Sequence, residues 1–347
     1  MIEIDGSQRS GSGTILRLSV ALSAIQTEPL HIYNIRQNRS RPGLRPQHLE
    51  AVLTAARLCD GDLEGAKLDS RELWFKPKKV KGGKVRAEIG TAGSISMLLM
   101  TVLPICIFAE DTVHLHVSKG GTDVPHSPTI NYLRCVFLPV LKHLGVNTGL
   151  TVHKFGYYPK GMGEVTLTVE PCKSLQPLRL GSFGKVRSVK GVSTCTFLAE
   201  RRVAERQARS ASDYLEKRNY ATDIEVVNDR SNNMQKGSSL VLWARTDAGV
   251  ILGADAIGEI RKPSEVVGRE AAQRLFVEIS SRATVDVHLA DMLIPYLALT
   301  QGTSEFLTRT VSDHLDTNIW LSEKILGSKF SVERTNDLYK IRKLDAD

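Results

Sequence analysis

Residues 312–318 read SDHLDTN and hold His314, the only imidazole after His288. An imidazole titrates at about pH 6.5, so near neutrality it serves as nucleophile, proton carrier or ligand. The carboxylates of Asp313 and Asp316 and the hydroxyls of Ser312 and Thr317 flank it. The short stretch alone fits a solvated loop equally well. A second set lies in RQNRSRPGLR (36–45), which packs four arginines into ten residues. Guanidinium forks match phosphate oxygens, so this cluster has the chemistry of a phosphate site. A third, KPKKVKGGK (76–84), carries five lysines and fits either a solvated loop or a contact to nucleic acid. The five cysteines (Cys59, Cys106, Cys135, Cys172, Cys195) are scattered and form no CxxC pair. They read as reduced thiols and exclude a zinc ribbon or a disulfide framework.

The chain around these groups has 347 residues, 41% hydrophobic and 24% charged, which is globular in character. Its formal net charge is +8, which favours an anionic partner such as nucleic acid, nucleotide or a membrane surface. A solvated basic surface would give the same figure. The longest apolar run, SMLLMTVLPICIFA (96–109), is interrupted by Pro104 and falls short of the ~18 residues of a membrane span. The N-terminal residues carry no signal-peptide pattern, and the expected location is the cytoplasm.

Strand and helix patterns alternate along the first half. PLHIYNI (29–35) reads as a strand. PQHLEAVLTAARLC (46–59) reads as a helix, with Leu49, Val52, Leu53 and Ala56 on one face and Gly61 beyond its end. Strands follow at 71–77 and 84–89, then a glycine-opened helix at about 93–109 and a strand at 112–118. A helix opens after Ser127-Pro128 and runs to about Leu144, and strands at 150–155 and 163–171 close this half. A coarse unit recurs about every 80–90 residues without sequence identity between copies. Near 182 the texture changes. A strand-rich stretch, a charged helix over 199–219, strands near 221–228, 239–246 and 250–257, and a helix opened by Lys262-Pro263-Ser264 suggest an inserted αβ domain. TVDVHLADMLIPYLALT (284–300) then reads as a buried helix leading out of a strand, and TNIWLSEKIL after His314 reads as helical.

Five stretches, taken together and in this order, resemble the RNA 3′-terminal phosphate cyclase family. They are IDGSQRSGSGTILR (4–17), IRQNRSRPGLRPQHLEAV (35–52), IGTAGSISMLLMTVLP (89–104), GGTDVPHSP (120–128) with HLADMLIPYLAL (288–299), and SDHLDTN (312–318). The resemblance implies an α/β (α+β) fold. Its large domain would consist of three repeated βαβαββ-type units similar to enolpyruvyl transferases, over residues 1–181 plus 277–347. A smaller αβ domain, residues 182–276, would be inserted before the third unit. The implied reaction is ATP-dependent conversion of an RNA 3′-phosphate to a 2′,3′-cyclic phosphate through enzyme–AMP and RNA-adenylate intermediates. The implied partners are ATP, a divalent cation (Mg2+ or Mn2+) and RNA with a 3′-phosphate end, with no membrane. The oligomeric state is left open.

The resemblance places His314 at the nucleophile position, its second ring nitrogen held by a backbone carbonyl, Asp313 or Asp316. Arg17, Arg36, Arg39 and Gln47 fall on positions that handle phosphate, with Arg17 and Arg39 in catalytic roles; Arg41 and Arg45 read as surface. His288, Leu289, Ala290, Asp291 and Met292 correspond to the nucleotide segment. There His288 stands where an aromatic often stacks on adenine, and Asp291 is the candidate for the metal–phosphate region. Pro125 would form the opposite wall, with His126 on the loop surface. Three positions depart from the pattern. Ser10 replaces a metal-binding glutamate, and serine is a much weaker magnesium ligand. Met100 and Met292 replace glutamines, so polar nucleotide contacts are lost. These departures leave a non-catalytic scaffold of ribosomal RNA processing as the alternative, with an enolpyruvyl transferase as a more distant one.

Overall fold

The computed structural model describes residues 1–345. The chain starts with β1 (Ile2–Asp5), α1 (Gly13–Gln26), β2 (Leu30–Tyr33), α2 (Pro46–Cys59), β3 (Asp62–Glu64) and β4 (Leu73–Lys76). In this sheet β1 pairs parallel with β2, β2 antiparallel with β4, and β4 antiparallel with β3. Next come β5 (Gly83–Glu88), α3 (Ile95–Ile107), β6 (Val113–Gly120), α4 (Ile130–Tyr132), a π-helical turn (Leu133–Phe137), α5 (Leu138–His143), β7 (Thr148–Lys154) and β8 (Gly163–Val169). The connectivity repeats: β5 is parallel to β6, β6 antiparallel to β8, and β8 antiparallel to β7. The short β9 (Arg179–Leu180) follows.

A different arrangement then intervenes. It comprises β10 (Val186–Thr196), α6 (Val203–Glu216), β11 (Thr222–Asp229), β12 (Gly237–Thr246), β13 (Ile251–Ile257) and α7 (Ser264–Ser281). Its sheet order is β11-β10-β12-β13, with both helices packed on it. The chain ends with α8 (Val287–Ala298), β14 (Ser304–Thr308), α9 (Asp313–Leu326), β15 (Lys329–Thr335) and β16 (Leu338–Leu344). Here β9 pairs parallel with β14, β14 antiparallel with β16, and β16 antiparallel with β15. β9 therefore shares a sheet with β14, β16 and β15, across the whole stretch from β10 to α7. The expected boundary at 276/277 falls within α7, which runs on to Ser281.

Burial follows from the sequence patterns. β6 and β8 alternate buried and exposed residues, with one face on the core and one toward solvent. α3 is buried nearly all round, and Pro104 sits inside it without ending it. The helices meet centrally: α1 packs on α2, α3 and α9, and α8 packs on α3 and α9. α8 also contains a proline, Pro295, which has no N–H to offer the carbonyl of Asp291 one turn earlier. The side chain of Asn318 in α9 supplies that missing donor at 2.7 Å, fastening α8 to α9. The expected single helix over 128–144 contains the π-helical turn, a local widening that recurs at functional sites. Among the described residues no helix is long and apolar enough to cross a membrane.

Candidate active site

A cavity of about 500 Å³ opens where α1, α3, α8 and α9 converge. Thr14, Arg17 and Leu18 come from α1, Met97 and Met100 from α3, His288, Asp291 and Met292 from α8, and His314 and Asn318 from α9. Tyr132 and Phe137, set by the π-helical turn, join them, as do His126, Ser127 and Pro128. Its lining mixes methionines, aromatics and leucine with arginines, histidines and aspartates. That is the general character of a site for a ligand with a flat hydrophobic part and a charged part.

His314 occupies the first turn of α9. Ser312 caps that helix, its side chain accepting from the Leu315 N–H at 3.0 Å. The Ser312 hydroxyl in turn donates to Asp291 Oδ1 at 2.5 Å. The helix N-terminus under His314 is thus fixed from α8, and helix N-termini favour anions. The partner of His314 Nδ1 is neither Asp313, Asp316 nor a carbonyl. It is Thr14 Oγ1, 3.2 Å away, some 300 residues earlier in the chain. Asp316 is turned outward onto Arg9, and Thr317 Oγ1 donates to the Asp313 carbonyl. Arg17 Nη2 donates to the same Thr14 Oγ1 at 3.3 Å. A hydroxyl oxygen can accept from both Arg17 and an Nδ1–H. That arrangement leaves the Nε2 lone pair free. Desolvation by the cavity wall, then the charges of Arg17 and Arg39, hold the His314 pKa below the ordinary 6.5. The lowered pKa favours the neutral imidazole near pH 7.

Arg17 is held down to about 10 by desolvation first and by Arg36 second, so it stays cationic at neutral pH. Arg39 is exposed and reaches His314 through its field. Arg36 does not line the cavity. Its Nη1 donates to the carbonyls of Arg41 and Gly43, which folds the arginine loop on itself. Gln47 does not line it either, because its Oε1 accepts from the Ser94 N–H at the start of α3. Arg45 pairs with Asp69 at the surface. The lysine run partly pairs with acids, Lys78 with Asp60 and Asp62, and Lys79 with Glu110. His48 went unnoticed in the sequence. It is buried, and its pKa is driven down to about 2 by burial first and then by Arg17, Arg36 and Arg45. A Cβ on Gly13 would come within 2.3 Å of His48 Nε2 and 2.9 Å of an Arg17 nitrogen. Only glycine lets α1 start there.

In the nucleotide segment the structure separates what the motif ran together. His288, Asp291 and Met292 face the cavity, whereas Leu289 and Ala290 are fully buried in the core behind it. One helical turn cannot present five consecutive residues to one side. Pro125 is exposed and lies outside the lining; His126 is exposed on its turn, as expected, and also borders the cavity. Met100 and Met292 both line it. Strand β13 and helix α7 also contribute Asp255 and Arg274, neither foreseen. Asp291 is pushed up to about 6 by burial, against the lowering effect of its bond from Ser312. Ser10 Oγ lies 3.0 Å from Ser12 Oγ, with no carboxylate beside it. Among the described residues no group of three or more His, Cys, Asp or Glu could hold a metal ion. Asp291 is tied by its bond from Ser312 to the start of α9.

The model of one protein family, RNA 3′-terminal phosphate cyclase, matches residues 8–332. A relative of that name from Pyrobaculum neutrophilum is 44% identical over 340 residues, covering 98% of this chain and 97% of its own. One from Methanopyrus kandleri is 45% identical over 330 residues, covering 94% and 93%. One from Pyrococcus abyssi is 44% identical over 333 residues, covering 96% and 95%.

Proposed function

The chain belongs to the RNA 3′-terminal phosphate cyclase family, and from that premise we propose that it closes RNA 3′-phosphate ends to 2′,3′-cyclic phosphates at the expense of ATP. The three units of common connectivity are read as the repeats of an enolpyruvyl-transferase-like body, and the intervening αβ unit as its insertion. In the first step His314 Nε2 attacks the α-phosphorus of ATP; an N–P bond forms and pyrophosphate leaves. In the second, an oxygen of the RNA 3′-phosphate attacks that phosphorus; the N–P bond breaks and an anhydride forms. In the third, the neighbouring 2′-OH attacks the 3′-phosphorus, losing its proton, and AMP leaves. The last attack is intramolecular, and so gains the advantage of proximity.

The observation that carries this reading is the Arg17–Thr14–His314 chain at the mouth of the cavity. It supplies a neutral imidazole, an oxygen to fix its tautomer and a cation for the phosphoryl charge. Arg39 would meet the RNA phosphate or the leaving pyrophosphate, with Arg36 and Gln47 holding the loop and the start of α3 in place. His288 would stack on the base. A divalent cation would arrive on the triphosphate, keeping its water and phosphate ligands.

The test is incubation of the whole chain with α-labelled ATP and Mg2+ or Mn2+, followed by denaturing gel analysis. Acid-labile, alkali-stable label on the protein is expected, and its loss in His314→Ala. A folded wild-type chain that binds RNA but never retains label would favour the scaffold reading instead.

A further inference from the structure

The inserted unit sends two side chains into the cavity, Asp255 from β13 and Arg274 from α7. Their positions are set by backbone contacts. Asp255 Oδ2 accepts from the Thr129 N–H at 2.8 Å, and Arg274 Nη1 donates to the Asp255 carbonyl at 2.7 Å. Asp255 Oδ1 has no protein donor, and the guanidinium has no carboxylate partner, among the described residues. An ionised carboxylate accepts only, and a guanidinium donates only. Both border the same cavity, and the Arg274 contact to the Asp255 carbonyl brings a donor to the residue that carries the acceptor.

Nucleobase edges differ in this respect. Adenine presents its amino donor N6 next to the acceptor N7, whereas guanine presents two acceptors, O6 and N7. An Asp–Arg pair complements the first pattern and sets a carboxylate against O6 in the second. Met97, Met100 and Met292 line part of the cavity with thioethers, and Thr101 spends its hydroxyl on the Met97 carbonyl.

We infer that Asp255 and Arg274 form a base-reading subsite that selects adenine, contributed to the site by the inserted unit. The inference rests on the nucleotide reading of the cavity proposed above. It gives the insertion a defined role: it closes the base end of a cavity whose phosphoryl end belongs to α1 and α9.

Equilibrium binding of ATP and of GTP to the full chain, measured by calorimetry, tests this independently of covalent chemistry. Asp255→Asn is the informative variant. Its amide oxygen can keep the Thr129 bond while its NH2 replaces the free acceptor, inverting the polarity toward O6. The ratio of ATP to GTP affinity is expected to fall about tenfold or more in Asp255→Asn, since a polar group left unmatched in the complex weakens binding by that order. Arg274→Gln should weaken both purine nucleotides, because N7 is common to them, and change the ratio little. Thermal unfolding of each variant checks its fold. Unchanged ATP and GTP affinities in both folded variants would overturn the inference. If the wild type binds ATP selectively yet never labels, the proposed reaction fails and the subsite stands.

Discussion

At the scale of single residues, the state of one proton governs the site. On the proposed reaction, proton binding to His314 would occupy the lone pair that attacks. Desolvation and the charges of Arg17 and Arg39 oppose that proton, so the folded pKa lies below 6.5. The nucleophile is therefore present above the depressed pKa and is lost only as pH falls through it. The rate of enzyme–AMP formation should decline in acid with a midpoint below pH 6.5. Removing the Arg39 charge takes away one of the groups that repel the proton. In Arg39→Ala the acid limb of the pH–rate profile should move upward, besides any loss in rate at neutral pH. An acid limb that stays fixed in that variant, with the label still formed, would mean that Arg39 does not act on the imidazole. His48 shows the same physics at its extreme, a ring kept neutral among three arginines.

At the scale of elements, α9 matters most, because its first turn carries His314. Ser312 caps that turn and at the same time donates to the half-buried Asp291. In Ser312→Ala both bonds vanish. A lost N-cap costs about 1 kcal/mol, and a carboxyl left without its donor adds about as much again. A lower denaturant midpoint is expected, with slower labelling by ATP, while Ser312→Thr keeps both contacts and should stay near wild type. Equal stability of all three chains would show that the cap does not set the turn. Elements with a clean period were legible beforehand. Helix α2 forms where the spacing of Leu49, Val52, Leu53 and Ala56 predicts it, though its buried face is Ala51, Val52, Ala55 and Ala56, with Leu49 and Leu53 only half-buried; β6 and β8 follow alternation. What escaped has physical reasons. β9 is two residues long and has no period to read; it belongs to the third sheet only through pairing with β14 across the whole insertion. The π-helical turn at 133–137 leaves the apolar pattern helical and shifts only the register of its side chains. His314 and Arg17 could be named from residue type and motif. Thr14, Asp255 and Arg274 join the site through contacts between distant segments, which no local spacing encodes.

At the scale of the whole molecule, three units are tied together by one buried acid. Asp286 caps α8 by accepting from the Leu289 N–H, takes the Tyr132 hydroxyl of the second unit at 2.6 Å, and takes the Gly253 N–H of the inserted unit at 2.9 Å. Glu278, at the end of α7, lies close enough to feel it. Its pKa is raised from 4.5 to about 7 by burial first and by Asp286 second, against the Arg309 contact, and its Oε2 has no partner. The folded chain therefore holds a proton that the unfolded chain releases near pH 4.5. The stabilisation from this group is complete below that pH and is lost as pH rises through about 7. Glu278→Gln keeps an acceptor for Arg309 and needs no proton. Its unfolding free energy should match wild type near pH 4.5 and exceed it toward pH 8, by on the order of 2 kcal/mol. Denaturant titrations at the two pH values decide the matter. A variant less stable than wild type at pH 8 would mean that the Arg309 ion pair outweighs the burial of Glu278, and that the seam between the inserted unit and α8 is held by charge, not strained by it.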